Sequence, residues 1–430
     1  VAGLTGCSDF VSAAPGPKDF VFTFWGSPVE KQVVSKVINA YCRENGLIGR
    51  PEHVPGDYNT KINTLIASKT PPDSGYLGGG TAMKFAETGL IENVVGKPGF
   101  DTILPQAVHY YAPGKAITNS CLEATALWYN AKSVQKAGVQ PPQKPADAWS
   151  WDELIANAMK LTTDAEGRHP DESGFDVRTV QQYGLNPPTG LLPLQGLLIS
   201  NGVELFSEDG TRCNIDDPRA IAVIQSVADL IFKHRVAPTP AQAATFGSNS
   251  GLLLESGRVA MVIDGQWALL DFAAADLDYD VGVLPGFGKS DYTTMVTSGA
   301  SVVFTGTRHN TIATRLVLQE MADPRVVSLY RTGLWMPMQK QFYDNEEGIA
   351  AWLNPKVHPP GYRTAVLEPT FNQATSEPVY KIRNSDVINA RLNSSVSAMF
   401  TKPVDIAAAC RATAAKINPM MRGSYPDVKE

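Results

Sequence analysis

The sequence predicts an α/β protein of two domains with a helix-rich C-terminal region. Three observations carry this prediction. A chain of 430 residues is longer than one ordinary hydrophobic core organises. Short apolar runs alternate with segments of helical periodicity through most of the chain. The remainder, from Met336 to Glu430, reads as mostly helix and loop.

Asp19 to Trp25 is a nearly continuous apolar run, the pattern of a strand covered on both faces. Gly26-Ser27-Pro28 breaks it, and a helix follows from Val29, with Val34, Val37, Ile38 and Tyr41 on one side and Gly46 at its end. Tyr58 to Ala67 reads as a helix stopped by Pro71-Pro72, and Asp73 to Leu77 as a short strand. Gly78-Gly79-Gly80 leads into a helix ending at Gly89, and Cys121 to Tyr129 is a further strand. Ser150-Trp151-Asp152-Glu153 is a capping box opening a helix to Leu161. Asp217-Pro218 starts another helix, since Pro at the first helical position loses no hydrogen bond. Strands are expected at Arg258–Asp264, Asp280–Leu284 and Gly299–Thr305, and helices at Asn310–Glu320 and from Asp323-Pro324 to Gly333.

Net charge is −6 and no long Lys/Arg run occurs, which argues against a nucleic-acid or anionic-membrane partner. No stretch is apolar enough to span a bilayer. Leu4-Thr5-Gly6-Cys7 reads as a lipobox, with Cys7 the lipidated residue and Ser8 to Lys18 a tether; an ordinary cleavage near Ser12-Ala13-Ala14 is the alternative. Cys42, Cys121, Cys213 and Cys410 are far apart, so a zinc or redox site is not expected; two disulfides or four buried thiols both fit. The six histidines are scattered and offer no metal pair. Gly247-Ser248-Asn249-Ser250-Gly251 lacks the central serine of a nucleophile elbow, and no nucleotide-binding glycine motif is present. No cofactor is expected. A glycosidase, which needs only two carboxylates, stays open as the enzyme alternative.

Several spaced segments together resemble the extracellular solute-binding proteins of ABC sugar transporters, the family that includes the maltose-binding protein. They are Asn59-Thr60-Lys61 through Pro72-Asp73, Ala126 to Asn130, Ala137-Gly138 through Trp149 to Leu154, Leu254 to Met261 with Asp264 to Trp267, Asp280 to Pro285, and Gly333 to Pro337. The resemblance covers roughly residues 19 to 340. It implies a two-lobed periplasmic-binding-protein fold of type II-like form with a hinged cleft. Residues 19–124 plus 286–334 would form lobe one and 125–285 plus 335–430 lobe two. It implies a non-enzymatic binding component of an ABC importer that hands a carbohydrate (a mono- or oligosaccharide, polyol or sugar acid) to membrane permease subunits. Such a protein would be a monomer at the periplasmic or outer face of a bacterial membrane, touching lipid only through an anchor.

Sugars offer apolar faces to aromatic rings and hydroxyls to fixed polar groups. The family's tryptophan at the Asp264–Trp267 motif stacks on sugar, which puts Trp267 in that role here, with Asp264 as a hydroxyl acceptor. Strand ends and the turns after them supply the other candidates: Trp25, Ser27, Tyr76, Asn186, Gly299 and Trp335, the last at the third of the crossings between lobes that the resemblance implies near Ala124, Leu284 and Trp335. Gly78 and Gly79 stand where the family often carries a ligand-touching Trp or Asp, so a standard maltodextrin ligand is in doubt; bare N–H groups at a helix start are the alternative donors. Arg363 is a candidate polar contact from the tail.

Overall fold

The computed structural model describes residues 15–287 and 294–426; Cys7 and most of the expected tether lie outside them. Twelve strands occur among the described residues. They are β1 Asp19–Phe24, β2 Ile48–His53, β3 Ser74–Leu77, β4 Val108–Ala112, β5 Lys115–Thr118, β6 Glu123–Asn130, β7 Tyr183–Asn186, β8 Val259–Gly265, β9 Tyr279–Gly282, β10 Thr294–Thr297, β11 Ala300–Val303 and β12 Ala374–Ser376.

Two sheets organise them into a two-lobed α/β architecture. The first runs β11-β3-β1-β2, with β1 parallel to β2 and β3 and with β11 antiparallel to β3. The second runs β12-β10-β6-β8-β7, with β9 beside β6. Strands β4 and β5 form a separate hairpin.

The apolar run of β1 is buried throughout, as its lack of alternation predicts. Phe20, Phe22 and Phe24 enter one core cluster, which continues through the segment 313–367 to Trp128 and Val262 of the second sheet and Phe272 of the helix Leu269–Ala274. On β6, the two-residue side-chain period divides the strand: Ala126 and Trp128 face this cluster, while Leu127 and Tyr129 face a second one. Helices Trp151–Leu161, Leu191–Ser200, Pro218–Phe232, Ser385–Ala398 and Ile406–Ile417 build that second cluster.

Helix starts follow their sequence signals. Ser150 accepts from the Glu153 N–H, and the Glu153 carboxylate accepts from the Ser150 N–H. Asp217 caps the helix that Pro218 begins.

Three expectations are corrected. Residues 323–333 fold as successive turns rather than a helix, because the Asp323 carboxylate takes the Arg325 N–H and guanidinium while Val327, Leu329 and Tyr330 turn into the core. The helix from Asn310 is α-helical to Arg315 and then widens to a π-helix over Leu316–Glu320. Strand β10 joins the second sheet instead of lobe one, pairing with β6 and β12; its buried apolar pattern does not reveal which sheet accepts it. The four cysteines are buried free thiols.

Candidate functional site

Ends of strands from both sheets meet at one seam. From the first sheet come Trp25 after β1 and Gly78-Gly79 after β3. From the second come Glu123 at the start of β6, the Asp264–Trp267 segment closing β8, and Thr297-Ser298 after which the chain crosses to β11. Antiparallel register sets Thr125 against Gly265 and Glu123 against Thr297, so Trp267 leaves its strand at the level of Glu123. Asn186, whose strand pairs in parallel with β8 at Val262, ends at the same sheet edge.

Trp267 is half-buried beside a cavity of about 380 Å³ that it shares with Asp264, Asp271, Asn249, Ser250 and Leu253. Its indole folds over Gly265, where any Cβ would overlap the ring. The Asp264 carboxylate is fixed by the Ser250 hydroxyl at 2.5 Å and the Gly265 N–H at 2.7 Å, with the Trp267 side chain as a further donor. Burial pushes the Asp264 carboxyl up, against the pull of those donors. The result is a held aromatic face next to an oriented acceptor. A larger cavity, about 620 Å³, lies between the β4–β5 hairpin and the tail, lined by His109, Glu204, Phe206, Lys381 and Tyr425. Tyr380 also lines it, but none of the motif residues does.

The other candidates divide. Trp25 is half-buried, edge-on to Tyr58 and Tyr76. Gly299 is the floor under it: a Cβ there would stand 2.8 Å from the Trp25 ring. Ser27 spends its hydroxyl on the Glu30 N–H as the cap of helix Pro28–Glu44. Tyr76 and Trp335 are corrected to packing positions at 2% and 4% exposure. Their rings meet edge-on, and Tyr330 closes the far side of Trp335. The glycines differ: Gly78 has open space beside it, while Gly79 does not. A Cβ on Gly79 would lie 2.6 Å from the Tyr380 ring, and one on Gly80 would lie 2.6 Å from the Ser385 hydroxyl, so the helix start Gly79–Glu87 abuts the C-terminal region. Arg363 is exposed and forms an ion pair with Glu346.

Sequence reasoning missed Glu30, Glu123, Glu377 and Tyr380. Tyr380 stacks on His109 with ring centroids 3.5 Å apart, and its hydroxyl donates to the Ser298 carbonyl at 2.6 Å. The Thr297 hydroxyl donates to Glu377 at 2.5 Å. Glu123 keeps part of its surface accessible although it is densely surrounded, as a residue lining a narrow cleft does. Burial, then the charges of Glu30 and Glu377, push its carboxyl up to about 8. Its one legible signal is a carboxylate inside the apolar run CLEATALWY.

These shifts set a pH profile. An acid raised to about 8 in the folded state binds its proton more tightly there than in the unfolded chain. Glu123 therefore favours folding at low pH, and that contribution is lost as pH climbs from about 4.5 to about 8. His109, lowered to about 4 by burial, must stay neutral; its contribution is lost as pH falls from about 6.5 toward 4. Between about pH 4.5 and 6.5 the two slopes offset each other, so thermal melts are expected to hold level there and to fall from about pH 6.5 to 8. Glu123→Gln should flatten the alkaline arm; an unchanged arm would refute the assignment.

Comparisons with known proteins bear on this arrangement. Residues 55–315 match the family described as bacterial extracellular solute-binding protein. The fold is similar to an ABC substrate-binding protein from Listeria monocytogenes in complex with cycloalternan, with TM-score 0.76, 21% identity, and coverage of 94% of this chain and 98% of that one. It is also similar to the maltose/maltodextrin-binding domain from Bdellovibrio bacteriovorus bound to maltotriose, with TM-score 0.72, 16% identity and coverage of 94% and 99%. The GacH receptor of Streptomyces glaucescens, solved unliganded and with acarbose, gives TM-score 0.72, 20% identity and coverage of 96% and 100%. At these identities the likeness establishes the fold. No curated protein matches the sequence. The matched family and these structures are binding proteins, not enzymes.

Proposed function

This chain belongs to the bacterial extracellular solute-binding proteins, and on that premise we propose that it captures a carbohydrate in the seam between its lobes and delivers it to the permease subunits of an ABC importer. The observation that carries the reading is Trp267. An indole face held open on a cavity, beside a carboxylate fixed by Ser250 and Gly265, meets the two demands of a sugar. Carbohydrates in the similar structures support the same class. Lobe one takes residues 19–122 plus 299–334, and lobe two takes 123–298 with the C-terminal region. The protein works as a monomer outside the cytoplasm. A lipid on Cys7, outside the described residues, would hold it to the membrane.

Titration against a carbohydrate panel tests this. Stoichiometric capture should quench tryptophan fluorescence and leave the sugar unaltered. A ligand at 100 times its Kd should add about 2.7 kcal/mol of stability. Release of a hydrolysed product, or indifference to every sugar in the panel, would sink the reading.

A further inference from the structure

Glu30, Glu123 and Glu377 approach the seam from both lobes, and no lysine or arginine pairs with any of them among the described residues. Glu377 is 8% exposed and accepts from the Thr297 hydroxyl, with Gln195 as a second donor. Thr297 is also the cross-strand neighbour of Glu123. Glu30 accepts from the Ser27 N–H at 2.7 Å. The Glu123 carboxylate takes no hydrogen bond from any described residue.

We propose that the solute held in this seam carries a protonated amine on its carbohydrate body, placed between Glu123 and Glu377 with Glu30 facing it. The inference rests on the carbohydrate reading above and narrows it to amino sugars.

Three points support an organic cation over its rivals. Glu123 meets the charges of Glu30 and Glu377 by keeping its proton; a neutral hydroxyl can donate to these groups but brings no opposite charge, whereas an ammonium takes the place of that proton and supplies up to three donors. A metal ion needs its carboxylates to converge within about 2.6 Å of one point, and among the described residues no group of three acids, histidines or cysteines is close enough to hold one. One polar atom beside Glu123 is also unpartnered. Thr125, two residues from Glu123 and on the same face of β6, is 5% exposed with its hydroxyl unbonded. A buried hydroxyl without a partner is unfavourable, and a hydroxyl of the solute would satisfy it.

The charge balance has a measurable signature. Before binding, Glu123 holds a proton at neutral pH. An ammonium docked against it draws that proton off, so capture releases a proton to solvent. Binding should tighten as pH rises from about 6 toward 8, until the amine itself loses its proton.

The experiment is calorimetry on the full chain with glucosamine and galactosamine, as monosaccharides and short oligosaccharides. Each is matched to its N-acetylated and its neutral hydroxyl counterpart, in two buffers of different ionisation enthalpy at pH 7. At least one free amine should bind about tenfold or more tighter than both counterparts, with net proton release. Glu123→Gln and, independently, Glu377→Gln should shrink that ratio, each variant being checked for a native melt. Equal or weaker binding of every amine while a neutral or acetylated sugar binds would overturn this inference and leave the carbohydrate reading standing. Binding of no sugar from any class would overturn both.

Discussion

Replacing Trp267 by alanine should weaken carbohydrate capture by about 100-fold or more, a loss of about 2.8 kcal/mol. The indole supplies the broad apolar face of the cavity, and its N–H helps orient the Asp264 carboxylate. Truncation removes both at once and leaves a hole that water fills. The ring also packs against the core beside the first sheet, so a thermal melt of the variant accompanies the titration to separate lost binding from lost stability. Trp267→Phe separates the contributions: a smaller face remains, the N–H is gone, and a loss of about tenfold is expected. Calorimetry with the tightest sugar of the panel is the measurement. A Kd for the alanine variant within about threefold of the parent would mean that the site lies elsewhere.

Gly79→Val should destabilise the protein by about 1–3 kcal/mol. The new side chain collides with the Tyr380 ring, starting from a Cβ only 2.6 Å away. That ring cannot easily yield, since it stacks on His109 and its hydroxyl is bonded to the Ser298 carbonyl. Overpacking of this kind costs about 1–3 kcal/mol, and because Tyr380 shares its core with Leu77, Phe85 and Val302 around the first sheet, that cost falls on the stability of this core. Thermal melts should show the variant unfolding at a lower temperature than the parent. An identical melt would show that the two elements do not press on each other in the working protein.

Much of the fold could be read from local sequence. Strand β1 is legible because its residues are buried on both faces, and the helices at Ser27, Ser150 and Asp217 because each cap is written within four residues. Strand β2 escaped because its run, IGRPEH, is polar and holds Pro51; it survives as an edge strand, where proline is tolerated. The seam was legible only where one segment carries both backbone and side chain, as at Asp264–Trp267. Glu377 and Tyr380 arrive through β12, whose partner β10 is some eighty residues away in sequence. No local period records that pairing. Arg363 reads as a lone cation in the tail because its partner Glu346 lies seventeen residues away, beyond any local pattern.

The free thiols give each part of the molecule its own chemical clock. Cys42 and Cys121 belong to the core shared with the first sheet, while Cys213 and Cys410 lie in the core of the second lobe. Burial raises the pKa of all four, holding them in the unreactive protonated form. Alkylation must therefore wait for the surrounding structure to breathe. Cys121, bonded at 3.2 Å to the Ser298 hydroxyl at the crossing between sheets, is the one whose labelling keeps time with the opening of the seam, and the other three count unfolding of the bodies on either side.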